Sequence, residues 1–289
     1  MSATQDWLAE QFEAHRSHLQ GVAYRMLGSL SEAEDAVQES WFRLSRSDTT
    51  DLKNLGGWLT TVVSRVCLDM LRTRKARREE ALEGYLIEAI VSDEARGNPE
   101  QEALMAESVG LAMLVVLGKL NPAERITFVL HDIFMMPFTE IAPIVGKSEM
   151  ATRQLASRAR RRVHGDVSHL NPDLSSQREL VDAFLSAAYA GDFDTLITTL
   201  DPDVVLRDDR QFEAVRVIRG AAALAKHVSG RAKAAQVALV NGSIGVIAAP
   251  QGKLLYVLQF TLKNGKISEV DLISDFARIR KLDLSIFPS

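Results

Sequence analysis

A single cysteine, Cys67, among 289 residues excludes an intrachain disulfide and any zinc site built on cysteine pairs. The six histidines show no HExxH-like spacing, so neither a metal site nor a cofactor is expected. No apolar run approaches the roughly 20 residues that a bilayer-spanning helix needs. The first ten residues, Met1 to Glu10, mix acidic and polar side chains where a secretory leader would carry a basic start and an apolar core. The expectation is a cytoplasmic protein with no membrane partner. A surplus of positive charge is missing too: 34 Lys and Arg face 38 Asp and Glu, for a net charge of −4. That average argues against a nucleic-acid partner, but the local potential on one face decides the matter.

The chain is 46% apolar and 25% charged, the composition of a soluble globular protein, and its length fits two or three compact domains. Its basic residues are clustered. Arg72, Arg74, Lys75, Arg77 and Arg78 form one group, and Arg153, Arg158, Arg160, Arg161 and Arg162 the other. By charge pattern alone, two solvated helix ends would explain them as well as DNA would.

Apolar residues at Leu19, Val22, Ala23, Met26, Leu27 and Leu30 predict an amphipathic helix that breaks at Gly28 and Ser29 to Ser31. Ala33, Ala36, Val37, Trp41 and Leu44 predict a second, leaving Asp35, Gln38, Glu39 and Phe42 on another face. A third long helix follows the stripe Leu59, Val62, Val63, Val66 and Met70 into the first basic group, with Ser64, Arg65, Leu68 and Arg72 pointing elsewhere. Residues 92–106, with Gly97, Asn98 and Pro99, read as a linker. A second helical module begins with Ala112, Met113, Val116, Leu117 and Leu120. Asn121-Pro122 with Glu124 supplies a helix start, which Ile126, Val129, Leu130 and Ile133 continue. Phe138, Ile141, Ala142 and Val145, a turn at Gly146, Ser148 as cap and a last helix with Thr152, Ala156, Ala159 and Val163 inward make a helix-turn-helix pattern. Pro143 predicts that the first of that pair is short or kinked. From about Ser175 one helix, Leu180 to Ala190, precedes strand-like runs, and Asn264-Gly265 marks a tight hairpin. Helices ahead of antiparallel strands predict an α+β domain.

The stretch MLGSLSEAEDAVQESWFRL, Met26 to Leu44, closely resembles the second region of extracytoplasmic-function sigma factors, and the stretch from Leu120 to Val163 resembles their fourth region. RQLASRARRRV is similar to a subgroup with a fused SnoaL-like (NTF2-like) C-terminal domain. RELVDAFLSAAYAGDFDTLITTLDPDVVLRDD resembles the opening of that fold. The resemblance implies a multidomain chain: sigma region 2 at 1–91, the linker 92–106, region 4 at 107–165, a linker at 166–176 and a SnoaL-like cone at 177–289. It departs from the subgroup twice: EGYLIEAIV at Glu83 to Val91 replaces a Trp-Leu-Pro-Glu-Pro segment, and Asp208, Asp209, Arg210 and Gln211 replace a Gly-rich loop.

That resemblance implies a transcription initiation subunit whose partners are core RNA polymerase and promoter DNA. Asp35, Gln38, Glu39 and Phe42 would meet the polymerase, with acceptors facing basic partner groups around an apolar anchor. Arg65, Asp69, Arg72, Arg74 and Lys75 occupy the −10 reading region, where cations track phosphates. Aromatic supply there is thin, Trp58 being the nearest. Arg153, Gln154 and Ser157, opposite the apolar stripe, fit base reading at the −35 element, and Arg158, Arg160, Arg161 and Arg162 fit phosphates. Asp208, Asp209 and Arg210 form a candidate regulatory loop, and the C-terminal domain is expected to contact the sigma modules and regulate them. Asp208, His227, Asp271 and Asp275 are nominal acid/base candidates, but no pair is specified by sequence, so no enzyme is expected. Two other classes compete: a stand-alone repressor or activator, for which the face around Asp35 would have no use, and a SnoaL-type enzyme, which would need a polar, substrate-sized cavity.

Overall fold

The computed structural model describes residues 3–47, 54–81, 110–165, 173–209, 216–230, 232, 235–249 and 254–286. The segment Glu83 to Val91, most of both linkers, Arg210 and Gln211 lie outside them. Two compact units emerge. The described residues up to Ala81 form one with Leu117–Arg160, and Gly110–Val116 joins the residues from Arg161 onward in the other.

The first unit opens with α1 (Ala3–Leu27), α2 (Leu30–Ser45) and α3 (Leu55–Ala81). Gly28 takes the left-handed φ of +77° that ends α1, its N–H bonding to the Tyr24 carbonyl at 2.8 Å. Ser29 then caps α2, accepting from the Glu32 N–H. Leu19, Val22, Ala23, Met26 and Leu27 are buried against Ala33, Ala36, Val37 and Leu44, as the helical period requires.

The second helical module comprises α4 (Leu111–Lys119), α5 (Pro122–Phe128), a π-helical turn (Val129–Ile133), α6 (Phe138–Val145) and α7 (Glu149–His164). Asn121 and Glu124 form a reciprocal capping box, with Pro122 at the first helical position. One continuous helix was the expectation through Ile133. Instead α5 ends at Phe128 and the next turn widens, the Phe134 N–H reaching the Val129 carbonyl at 3.2 Å. Pro137 is the cause within reach: it disfavours helix at the residue before it, and Met135 enters the left-handed region at φ 56° to redirect the chain. α6 is eight residues long with Pro143 inside and ends at Gly146, φ +70°. Ser148 accepts from the Ala151 N–H, and Thr152, Ala156, Ala159 and Val163 are fully buried along α7.

The expected inner face of α3 is too narrow. Ser64 and Leu68 are buried, whereas Met70 is only half-buried. α3 packs against α1 and α2 on one side and against α5 and α6 on another, so two adjoining stripes are covered.

In the second unit a seven-stranded sheet runs in the order β2-β1-β6-β5-β4-β3-β7. The strands are β1 (Leu200–Asp208), β2 (Arg216–Arg219), β3 (Ala235–Val240), β4 (Ser243–Ala248), β5 (Tyr256–Lys263), β6 (Lys266–Ile273) and β7 (Leu284–Ser285). Helices α8 (Asp173–Ala190), α9 (Phe193–Thr199), α10 (Ala221–Val228) and α11 (Phe276–Lys281) accompany them. Three of these helices were not foreseen, and the sheet is not wholly antiparallel: β1 and β6 pair in parallel, Leu206 beside Val270. Asn264 and Gly265 (φ 53° and 71°) form the expected tight turn, and Asn241 and Gly242 (φ 52° and 78°) form another. Phe184, Leu196, Val204, Leu224, Ile267 and Val270 bring helices and sheet into one core. The segment Gly110–Val116 enters this unit through Ala112, whose N–H donates to the Gln236 side chain at 2.9 Å.

Candidate nucleic-acid interface and docking face

Arg153, Gln154, Ser157, Arg158, Arg160 and Arg161 are all exposed on α7, opposite its buried stripe. Two of them are already engaged. Arg153 meets the Glu149 carboxylate at 2.5 Å, one turn earlier, and its guanidinium lies 4.8 Å from the centre of the Phe138 ring. That ring in turn lies 3.8 Å from the His131 ring at 31°. Arg160 is ion-paired with Asp132 on the π-turn while its side chain stays exposed.

The basic part of α3 divides differently. Arg65, Asp69, Arg72 and Lys75 are exposed, Arg72 lying 3.9 Å from Asp69. Arg74, expected at the −10 element, is half-buried: it pairs with Glu32 at the start of α2 and donates to the Leu27 carbonyl at 3.4 Å. It ties α3 to the α1–α2 turn, a contact that its reading at the −10 element did not foresee. Trp58 is half-buried. Below this surface, burial pushes the Cys67 thiol up to about 12, leaving it without nucleophilic character.

On α2, Asp35 and Gln38 are exposed and Phe42 is 44% exposed, an uncommon state for an aromatic ring. Glu39 beside them bonds Arg43 at 3.0 Å. Acceptors and one apolar anchor thus share a surface, as the sequence predicted.

In the second unit the candidate loop charges are not free at its start. Asp208 ends β1 and is 3% exposed. Asp209 accepts from the Ser274 N–H at 2.6 Å, the Ser274 hydroxyl at 2.8 Å and Arg278 at 2.8 Å, anchoring α11. Asp271 joins Glu269 on Arg207, at 3.2 Å and 2.7 Å, and Asp275 caps α11. Bonding to Glu269 above all raises the Arg207 pKa. Of the nominal acid/base candidates only His227 lines the cavity of about 70 Å³ inside the cone, whose walls are otherwise chiefly apolar, among them Phe184, Leu206, Leu224 and Val270. Tyr256 lines it as well, and Asp208, Asp271 and Asp275 lie outside its lining. Among the described residues there is no cluster of three metal-ligating side chains, and no helix is long and apolar enough to cross a membrane.

His131, Asp132, Phe138 and Glu149 escaped sequence reasoning. Glu149 was within reach, as an acid four residues before Arg153 on one helix face. His131 and Asp132 lie on the π-turn, which the apolar period did not announce, and Phe138 was read only as part of an inward stripe.

An exposed face of acceptors on one helical module and an exposed basic helix on another belong to one chain with a fused sheet domain. Residues 11–77 match the family model described as sigma-70 region 2, and residues 111–163 the one described as sigma-70, region 4. The chain is 40% identical over 251 residues, 83% of its length and 80% of the relative's, to the ECF RNA polymerase sigma factor SigJ of Mycobacterium tuberculosis H37Rv. It is 33% identical over 270 residues, 93% of each, to the probable ECF RNA polymerase sigma factor SigI of Mycobacterium tuberculosis CDC 1551. It therefore belongs to the ECF RNA polymerase sigma factors, a family of transcription initiation subunits and not of enzymes. The crystal structure of the Mycobacterium tuberculosis extracytoplasmic function sigma factor SigJ matches 94% of this chain and 98% of that one, at 33% identity and a TM-score of 0.45. An NTF-2 like protein from Burkholderia xenovorans LB400 matches 34% of this chain and 82% of its own, at 20% identity and a TM-score of 0.28.

Proposed function

We propose that the chain docks on core RNA polymerase through Asp35, Gln38, Glu39 and Phe42 of α2, and directs initiation at promoters with α3 and α7. Arg65, Asp69, Arg72 and Lys75 serve the −10 element. Arg153, Gln154 and Ser157 serve the bases of the −35 element, with Arg158 and Arg161 on phosphates. The working division of the chain is 1–91 and 107–165 for the two sigma regions and 177–289 for a regulatory domain that contacts them, joined by 92–106 and 166–176. The observation that carries the reading is α2 itself: Ala33, Ala36, Val37 and Leu44 fix one face in the core, and the opposite face offers acceptors beside a half-exposed Phe42. A stand-alone regulator has no use for that second face.

Reconstituted transcription with core RNA polymerase on a library of genomic fragments tests the reading. Start sites that depend on this chain are expected, and their absence sinks it. Asp35→Ala with Gln38→Ala should weaken capture of core polymerase while leaving the melting curve unchanged, because both side chains are exposed. Removal of the whole C-terminal domain at about Ser175 should change the transcript yield. An unchanged yield would leave that domain without a regulatory role.

A further inference from the structure

An arginine that reads a base must hold its guanidinium in the plane of the base edge, yet a free arginine on a helix surface samples many rotamers. Arg153 is not free. It sits in the first turns of α7 with its guanidinium 4.8 Å from the centre of the Phe138 ring, and Glu149 holds it from the same helix at 2.5 Å. Phe138 is the first residue of α6 and 9% exposed, so its ring is itself held. The His131 ring lies 3.8 Å from it, tilted at 31°, and a 2.9 Å hydrogen bond between His131 Nδ1 and the Met136 carbonyl fixes the imidazole in turn. His131 belongs to the π-turn. A regular α-helix would carry the same residue with a different rotation, because the widened turn inserts one residue into the spiral.

Resting on the reading of Arg153 as a base-facing residue, we infer that His131 and Phe138 are positioning residues for −35 recognition. They set the base preference of α7 through Arg153 and touch no DNA themselves. The π-turn is the part of the fold that puts His131 under the ring. Rotamer loss on binding is smaller for a guanidinium already stacked, so removing the stack costs discrimination at the base Arg153 reads before it costs overall affinity. Phosphate contacts from Arg158 and Arg161 do not pass through this stack.

The test selects from a randomised −35 duplex library with the full chain bound to core polymerase. It compares Arg153→Ala, His131→Ala, His131→Phe and the double variant His131→Ala/Arg153→Ala. His131→Ala leaves the Phe138 ring in place but unsupported, so it should reduce discrimination by no more than the about 2- to 5-fold that one exposed cation–π contact is worth, at the base position that Arg153→Ala also relaxes. His131→Phe keeps an aromatic ring without the bond to Met136 and should retain most of the preference. In the Arg153→Ala background His131→Ala should have no further effect. A uniform loss over all sequences, an equal effect with and without Arg153, or a His131→Phe variant no better than His131→Ala overturns the inference. If Arg153→Ala itself leaves base preference unchanged, the reading of α7 beneath it fails instead.

Discussion

The two basic stretches of this chain look alike on paper and differ in three dimensions. On α7 the end proposed to face bases is braced, Arg153 by Phe138 and Glu149, while Arg158 and Arg161 stand exposed. On α3 one of the central cations has been turned inward, Arg74 spending itself on Glu32 and the Leu27 carbonyl. A count of lysines and arginines therefore overstates what α3 offers to DNA, and it hides that the charge on α7 is sorted by neighbours into braced and free positions. Where the fold needs a cation to close a turn, the sequence cluster supplies both that and the ligand-facing residues.

The largest effect expected from breaking this contrast is on α7. Arg153→Ala should cost about 1–3 kcal/mol of discrimination at one −35 base if the contact is bidentate. A uniform loss across promoter variants would show a phosphate contact instead, and would make the two stretches equivalent. Arg74→Ala should act through the fold: about 1 kcal/mol lost in thermal or urea unfolding, the scale of a partly exposed ion pair, with −10 sequence preference unchanged. Altered −10 preference at unchanged stability would return Arg74 to the DNA. Smaller still, Arg161→Ala should weaken binding to all sequences alike and flatten the salt dependence by a slope of about 1, with no change in melting.

A pH effect separates the scaffold from both. Partial desolvation of a side chain that is still exposed, helped by the like charge of nearby His15, lowers the pKa of His18 on α1, whose Nε2 lies 3.3 Å from the Thr60 hydroxyl of α3. The unfolded chain then binds more protons than the folded one between that lowered value and about 6.5. Stability of the first unit is full above about pH 6.5 and declines as the pH falls through it. His18→Gln should flatten the decline in urea titrations between pH 7.5 and pH 5.5. A decline just as steep in the variant would locate the proton elsewhere.

What the sequence revealed was set by local chemistry. Gly28 and Gly146 in the left-handed region, the Asn121–Glu124 box and the Asn264-Gly265 turn each carry their own conformational preference, so helix ends and that hairpin were readable residue by residue. So was the outer face of α7, because Thr152, Ala156, Ala159 and Val163 mark the inner one. Long-range pairing was not readable. Arg74 finds Glu32 across 42 positions, Asp209 finds Arg278 across 69, and β1 finds β6 in parallel register, none of which leaves a periodic trace. The π-turn failed for another reason: Ile126, Val129, Leu130 and Ile133 have an ordinary helical period, and the departure from it is followed by Met135 in the left-handed region and Pro137. The exposure of Asp35, Gln38 and Phe42 on α2 was legible too. The support beneath Arg153 was not.

The parallel β1–β6 pairing also gives this protein a timetable. β6 lies between β1 and β5 in the sheet, yet it is made long after β1 and after every other strand except β7. At ~5–20 residues per second, a ribosome leaves β1 and β2 waiting about 3–12 s for the strand that joins them to the rest. By the end of that interval β3, β4 and β5 have been made as well, but the strand that joins them to β1 and β2 has not. A chain stopped short of Lys266 would stay in that state, so partial truncations of this domain are expected to go to aggregates or proteases rather than to a smaller folded domain.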